Sequence, residues 1–330
     1  MNAASIAAFL GRTQSRLSED ARSRNGVLIL LGCVLALVAP LVVTSYAVSL
    51  LTQLVIIVLV VGSWILVAGY FGIFTFAHAA FYGIGAYGAA IAAAGFGIHP
   101  VASILLGGLA AALFSLPIAY PVLKLSGPYV AMVTLAYGEI IFYGTTMFRG
   151  ITGGPTGYTG FPQLFGGDDV ALFYFVFAVV AVLMLAQYGL LVNRFGLVAR
   201  AIRESSDAAS MLGNNVPRYK LVGFVVGSSI AGIGGALQAY TIMIISPPML
   251  ELNQMIELMA MGVIGGLRTF GGAAFGGVIV FGLSESLRGI GQLRLVIWGV
   301  MLVAVTLYFP NGLAGESPDV IEGIKKRLGR

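Results

Sequence analysis

The chain has 330 residues, 58% of them apolar and only 9% charged, with a mean hydropathy of +0.97. A soluble domain carries about 25% charged residues, so this balance excludes a soluble globular protein and puts the chain in a membrane. The net charge of +5 comes from basic residues at the ends of apolar segments, where the cost of burying charge in hydrocarbon places them. It is therefore not the footprint of a nucleic-acid binder. The single cysteine, Cys33, excludes a disulfide framework and a cysteine-based metal site. The two histidines, His78 and His99, are 21 residues apart and have no metal-ligand spacing.

Residues 1–26 carry Arg12, Arg16, Arg22 and Arg24 and read as a polar tail. An uncharged apolar run begins at Val27 and reaches Tyr46, long enough to cross a bilayer at about 20 residues. A cleaved signal peptide has a shorter core and a small-residue cleavage site, so this run reads as an uncleaved first span. Further spans are expected at 48–68, 73–95, 101–120, 128–147, 170–192, 220–243, 254–267, 271–288 and 292–309. The predicted fold class is thus an all-α polytopic membrane protein of about ten transmembrane helices. The stretch at 254–267 is short for a crossing, and that at 73–95 is unusually glycine-rich.

With ten spans, fifteen of the eighteen basic residues fall on one side and only Arg149, Arg288 and Arg294 on the other. The positive-inside bias makes the first side cytoplasmic. It holds the N-terminal tail, the loop at 193–221 and the C-terminal tail at 310–330, while the Gly-rich loop at 149–169 is external. That external loop has two prolines and no lysine, and reads as an ordered, turn-rich surface loop.

Small residues recur every four positions at Gly85, Ala89, Ala93 and Gly97, and again at Gly223, Gly227, Ala231 and Gly235. Both series predict close helix contact. An internal echo relates TFAHAAFYG from Thr75 to TFGGAAFGG from Thr269; internal repeats are common in transporters, although such a match is cheap in a Gly/Ala/Phe-rich chain.

The longest polar interruption, Asn193 to Leu221, holds Arg194, Arg200, Arg203, Arg218 and Lys220. Phe195 to Glu204 reads as a short helix. Ser205, Ser206 and Asp207 offer caps for a second short helix, which Gly213 ends in a left-handed conformation. Val198, Ile202, Ala209 and Leu212 share one face if the helical phase carries across the break. Such a stripe either folds back on the bundle or docks a soluble partner.

Catalytic signatures are missing. No lysine follows a glycine, so there is no Walker A loop, and HExxH and GxSxG are absent. The intramembrane polar groups are sparse: His78 with Thr75, Tyr129, Thr134 and Glu139, with Glu257 and Glu285 nearer span ends. Thr75, His78, Tyr129, Thr134 and Glu139 are the candidate path residues. Gly127-Pro128 before Tyr129 can break a helix and free backbone groups to face a cavity. For Glu139 the plain alternative is a buried acid hydrogen-bonded to a neighbouring helix.

The run GLVARAIRESSDAASMLGNNVPRYKLVGFVVGSSIAGIGGAL resembles the signature region of branched-chain amino-acid ABC transporter permeases of the LivM type. The likeness continues in GYFGIFTFAHAAFYGIGAYGAA, LSGPYVAMVTLAYGEI, ITGGPTGYTGFP, MAMGVIGGLRTFGGAAFGG and FPNGLAG, and so covers about 60–315. The resemblance implies a permease subunit of a bacterial inner-membrane importer, with both termini cytoplasmic and membrane lipid around it. Its implied partners are a LivH-type permease, two ATP-binding cassette ATPases and a periplasmic solute-binding protein. This chain would bind no cofactor, with ATP and Mg on the ATPase. The loop at 193–221 would be the coupling loop, with Val198, Arg200, Ile202, Arg203, Glu204, Asp207, Ala209, Leu212 and Gly213 meeting the ATPase. The chain departs from the family pattern at Asn214-Asn215, where an aliphatic residue is usual, and at Pro155-Thr156. Related permeases carry amides, urea and other small solutes. A stand-alone secondary carrier using Glu139 for proton coupling is the competing reading, and an intramembrane enzyme is disfavoured by the missing catalytic cluster.

Overall fold

The structure, a computed structural model, describes residues 35–287 and 293–308 with residues 32, 289, 291, 312 and 313. The expected tail at 1–26, the start of the first span and most of the tail at 310–330 lie outside the described residues. Every regular element among the described residues is a helix, and an isolated bridge joins Tyr158 to Ile245.

Among the described residues, six helices are long and apolar enough to cross a membrane. They are α1 (Ser45–Ile65, continued by one π-helical turn to Tyr70), α2 (His78–Phe96), α3 (Pro100–Lys124), α4 (Pro128–Met147), α5 (Asp169–Val192) and, after two short helices, α8 (Val216–Ile242). The short pair is α6 (Arg194–Glu204) and α7 (Ser206–Met211). Three shorter apolar helices follow: α9 (Leu252–Gly265), α10 (Gly272–Ser286) and α11 (Leu293–Tyr308).

Local chemistry sets these boundaries. His99 Nδ1 accepts from Val101 N at the start of α3, and Pro100 takes the first position, where its missing N–H costs nothing. Gly127 at φ +60 turns the chain into Pro128 and α4, the break expected there. Asp168 Oδ1 accepts from Val170 N and Ala171 N and caps α5.

The bundle has two ends. One carries α6 and α7, here called the near end. The far end holds the 149–169 loop, tied down where Tyr158 and Ile245 exchange backbone hydrogen bonds of 2.7 and 3.0 Å. Phe161 of that loop is buried against Tyr240, edge to face at 5.5 Å, and Tyr240 shares a 2.5 Å hydrogen bond with Ser103. The loop is ordered and turn-rich, with positive φ at Gly153, Gly154, Gly157, Gly160, Gly166 and Gly167.

Glycines hold the core together. A Cβ on Gly85 would overlap the backbone of Gly232, one on Gly235 the carbonyl of Tyr82, and one on Gly107 the carbonyl of Gly85. Helices α2, α3 and α8 therefore meet backbone to backbone, as small-residue faces allow. Two details differ from the sequence expectation. Gly97 is not part of the face; it ends α2 in a left-handed conformation with nothing within 4 Å. Gly223 and Gly227 face α1 instead, against the Phe71 ring and Val67.

At 14 residues, α9 extends about 21 Å, short of a hydrocarbon core of about 30 Å. It pairs with α10 through Gly265, Gly272 and Gly276, which leave no room for side chains. Gly312 packs on Gly266 and Leu313 N donates to Ile264 O at 2.9 Å, so these two residues dock on the turn between α9 and α10. The internal echo also has a structural counterpart. Gly72 and Gly266 both have positive φ, the threonine stands three residues later in each copy, and His78 and Gly272 each open a helix. Ahead of the two copies, Gly69 lies against the Leu267 carbonyl.

These contacts give a stability prediction. Gly85→Ala forces α2 away from α8 and is expected to cost about 1–3 kcal/mol, as overpacking does. Gly282→Ala on α10, with nothing within 4 Å, is expected to be neutral or slightly stabilising. Thermal midpoints of the purified variants in detergent check the pair; equal midpoints would contradict the packing described.

Candidate functional site

Two regions stand out, and one stretch of backbone joins them. The first is the interruption between α1 and α2. The expected span at 73–95 is not helical throughout: residues 72–77 form an irregular arm, and the helix begins only at His78. Thr75 and His78 pair with Trp64 and Ser63, six or seven residues up α1 from Tyr70, which is about 10 Å along the helix axis. The arm therefore re-enters the bundle instead of lying on its surface. Irregular backbone at such depth survives only where its polar groups find partners, and here several do. Ile73 N donates to Val67 O at 3.2 Å, and the Trp64 indole donates to Thr75 O at 3.0 Å. Phe76 N donates to Thr134 Oγ1 at 3.0 Å, and Ala77 N to Thr75 Oγ1 at 3.2 Å.

Of the candidate path residues, the structure brings Thr75, His78 and Thr134 together, all three fully buried. Thr134 gives its own proton to Val130 O at 2.7 Å, leaving its lone pairs for the arm. Ser63 likewise donates to Val60 O at 2.7 Å, so in the 3.0 Å contact with His78 the histidine Nε2–H is the donor. His78 Nδ1 is then an acceptor, and it has no partner among the described residues. Tyr129 does not join this group; it is 65% exposed. Glu139 is also apart. It is half-buried and makes no hydrogen bond or ion pair among the described residues, so the expected bond to a neighbouring helix is absent. It borders an open stripe of α4 formed by Met132, Ile140, Tyr143 and Met147.

The second region is the α6–α7 pair. Ser205 Oγ accepts from Ala208 N and caps α7, and Gly213 follows at φ +80. Asn214 Nδ2 then bonds Ala209 O, and Asn215 Oδ1 caps α8 through Arg218 N. The departure at Asn214-Asn215 thus has a local role in reversing the chain. The stripe itself divides. Val198, Ile202 and Ala209 are buried and face the bundle, whereas Leu212 is 79% exposed. The extended backbone at Ser205 (φ −157, ψ 111) breaks the helical phase, so these four residues do not share a face. Leu197 and Met211, which the stripe pattern missed, are exposed with Leu212. Only their lack of a place in the inward stripe could have marked them beforehand. Arg200, Glu204, Asp207 and Gly213 are exposed as well.

Arg203 turns inward. Its Nη1 donates to Gly69 O at 2.6 Å and its Nη2 pairs with Glu204 at 2.9 Å. Arg200 lies over the Tyr70 ring at 5.2 Å, and Phe195 meets Phe71 edge to face at 5.4 Å.

A glycine-packed helical bundle with a re-entrant arm at depth and a short amphipathic helix pair at one end is the arrangement of a multi-span membrane permease. The family model described as "Branched-chain amino acid transport system / permease component" matches residues 46–306, and the chain belongs to that family. The chain is 27% identical over 308 residues to the high-affinity branched-chain amino acid transport system permease protein LivM of Salmonella typhimurium, covering 85% of this chain and 72% of the relative. LivM of Escherichia coli matches to the same extent. The probable branched-chain amino acid transport permease protein LivH of Methanocaldococcus jannaschii is 31% identical over 163 residues, covering 46% of this chain and 50% of the relative. The LivM-type resemblance seen in the motifs therefore extends along most of the chain. No solved structure matches it.

Thr134 offers a direct check on the arm. Thr134→Val strands the Phe76 N–H in a dry interior and is expected to cost about 1–3 kcal/mol, whereas Thr134→Ser keeps the acceptor. The thermal midpoint should fall for valine and be largely restored with serine; identical loss in both would show that the methyl group, not the hydrogen bond, matters.

Proposed function

We propose that this chain is a permease subunit of an ATP-driven importer for branched-chain amino acids or a similar small solute. It works with a LivH-type permease, two ATPase subunits and a solute-binding protein. ATP and Mg are held by the ATPase. The observation that carries the reading is the exposed apolar tip of α6 and α7. Leu197, Met211 and Leu212 stand clear of the bundle, with Arg200, Glu204 and Asp207 exposed on the same helix pair, whose other face is already covered. A helix pair that served only as a linker would have no reason to present three large apolar side chains to water. The near end is taken as cytoplasmic, since Lys124, Arg268 and the basic residues of 193–221 gather there and Arg149 lies at the far end.

The passage is assigned to the arm and α4, with the partner permease forming the opposite wall. Glu139 supports this. An acid beside an open helix face is costly against lipid, so that face is expected to meet protein or water. Sparse polar groups on a mostly apolar route suit a solute that has to leave as readily as it enters.

The docking surface is tested with charge substitutions on both faces of the pair. Met211→Asp or Leu212→Asp removes about 1.5–3 kcal/mol of apolar burial at an interface, roughly a tenfold or greater loss of affinity. The expected result is a normally inserted permease that no longer retains the ATPase on purification from the whole complex. Ile202→Asp is expected to fail differently, by destabilising the permease itself, because Ile202 is buried in its own bundle. Full ATPase retention in both tip variants would remove the assignment.

A further inference from the structure

The helix pair and the re-entrant arm are physically fastened to each other. The last turn of α1 is π-helical, which leaves its backbone carbonyls out of the ordinary ladder. Arg203 of α6 donates into this turn at Gly69 O, 2.6 Å away, across 134 residues of sequence. Its aliphatic stem lies against Gly72, the residue that begins the arm. A Cβ there would come within 2.8 Å of Arg203 Cγ, and Gly72 has φ +70, so both space and backbone require glycine. Tyr70 and Phe71, between these two contacts, are held by Arg200 and Phe195 of the same helix. Four consecutive residues, 69–72, are thus gripped by α6. The arm that leaves them carries Thr75 and leads directly into His78.

We propose that Arg203 is a positioning residue that transmits displacement of the α6–α7 pair to the re-entrant arm, and so sets the arm's conformation during transport. This rests on the reading of α6–α7 as the ATPase-docking element, and it assigns Arg203 a role other than docking. The guanidinium suits the role: it presents donors in a rigid fork, one to Gly69 O and one to Glu204. Lysine would keep the charge with a flexible stem. Glutamine would keep a single weak donor that is too short to span the same distance.

The test uses the whole transport complex in proteoliposomes with saturating solute-binding protein. Arg203→Gln and Gly72→Ala attack the contact from opposite sides. Each is expected to keep the ATPase bound and hydrolysis within about twofold of wild type, while solute moved per ATP falls by about tenfold or more. Arg203→Lys is expected to recover part of that ratio. A second readout separates transmission from plain stabilisation. In a Cys33→Ala background, the thiol of Phe74→Cys in the arm should change its reactivity toward a small thiol reagent when the ATPase binds nucleotide. Arg203→Gln should abolish that change. An unaltered transport-to-hydrolysis ratio, or nucleotide-dependent reactivity at position 74 that survives Arg203→Gln, would overturn the proposal. Loss of ATPase binding in Arg203→Gln would overturn it too, because Arg203 would then belong to the docking surface. If Met211→Asp retains the ATPase while Arg203→Gln uncouples, the docking surface is wrong and the positioning role of Arg203 stands.

Discussion

The constraint on which the structure depends is the need of every backbone polar group in hydrocarbon to find a partner. Helices meet it internally, and among the described residues the arm between Phe71 and His78 departs from helix at depth. That departure is held by one indole, two threonine hydroxyls and one backbone carbonyl: Trp64, Thr75, Thr134 and Val67. It also needs α1, α2 and α8 in close contact, which is what the glycines supply. Gly227 beside Val67 and Gly223 under Phe71 bring α8 against the end of α1. Gly85 and Gly235 close α2 on α8. A bundle built from larger residues would stand these helices further apart and leave the arm without its bonding partners.

The same economy explains the near end. The apolar stripe of Val198, Ile202 and Ala209 covers the bundle's end and fixes α6 in place, each large aliphatic contributing about 1.5–3 kcal/mol. With that face occupied, Leu197, Met211 and Leu212 remain exposed. On the proposed reading, anchoring and docking would thereby be divided between two faces of one short pair. The turn between α9 and α10 packs beside Gly69, where α6 grips α1, with Gly312 and Leu313 against it.

Much of this was legible in the sequence. Six of the ten expected spans are long apolar helices, and those expected at 254–267, 271–288 and 292–309 are shorter apolar helices; the expected 128–147 and 170–192 agree with α4 and α5 to within a residue or two. Capping chemistry located the break at Ser205 and the turn at Gly213. What was not legible is which neighbour covers an amphipathic face. The stripe of 198, 202, 209 and 212 was drawn on an unbroken helical phase, and the Ser205 cap itself breaks that phase. Nor does sequence show that Arg203 reaches a carbonyl 134 positions away, or that Thr134 serves the backbone of another segment. The polar residues Thr75, His78 and Thr134 could be picked out because they are rare in apolar surroundings. Tyr129 and Glu139 were picked out by the same rule, and rarity alone could not show that they point elsewhere.

The central claim is that this chain moves solute only as part of an ATP-driven assembly. Proteoliposomes decide it most directly: the chain alone, the chain with its permease partner, and the chain with permease partner, ATPase and loaded binding protein, each given a proton gradient or internal ATP. The account predicts uptake of a branched-chain amino acid or similar small solute only in the complete assembly, dependent on ATP and indifferent to the proton gradient. Gradient-driven uptake by the chain alone, lost on Glu139→Gln, would contradict it and establish a secondary carrier.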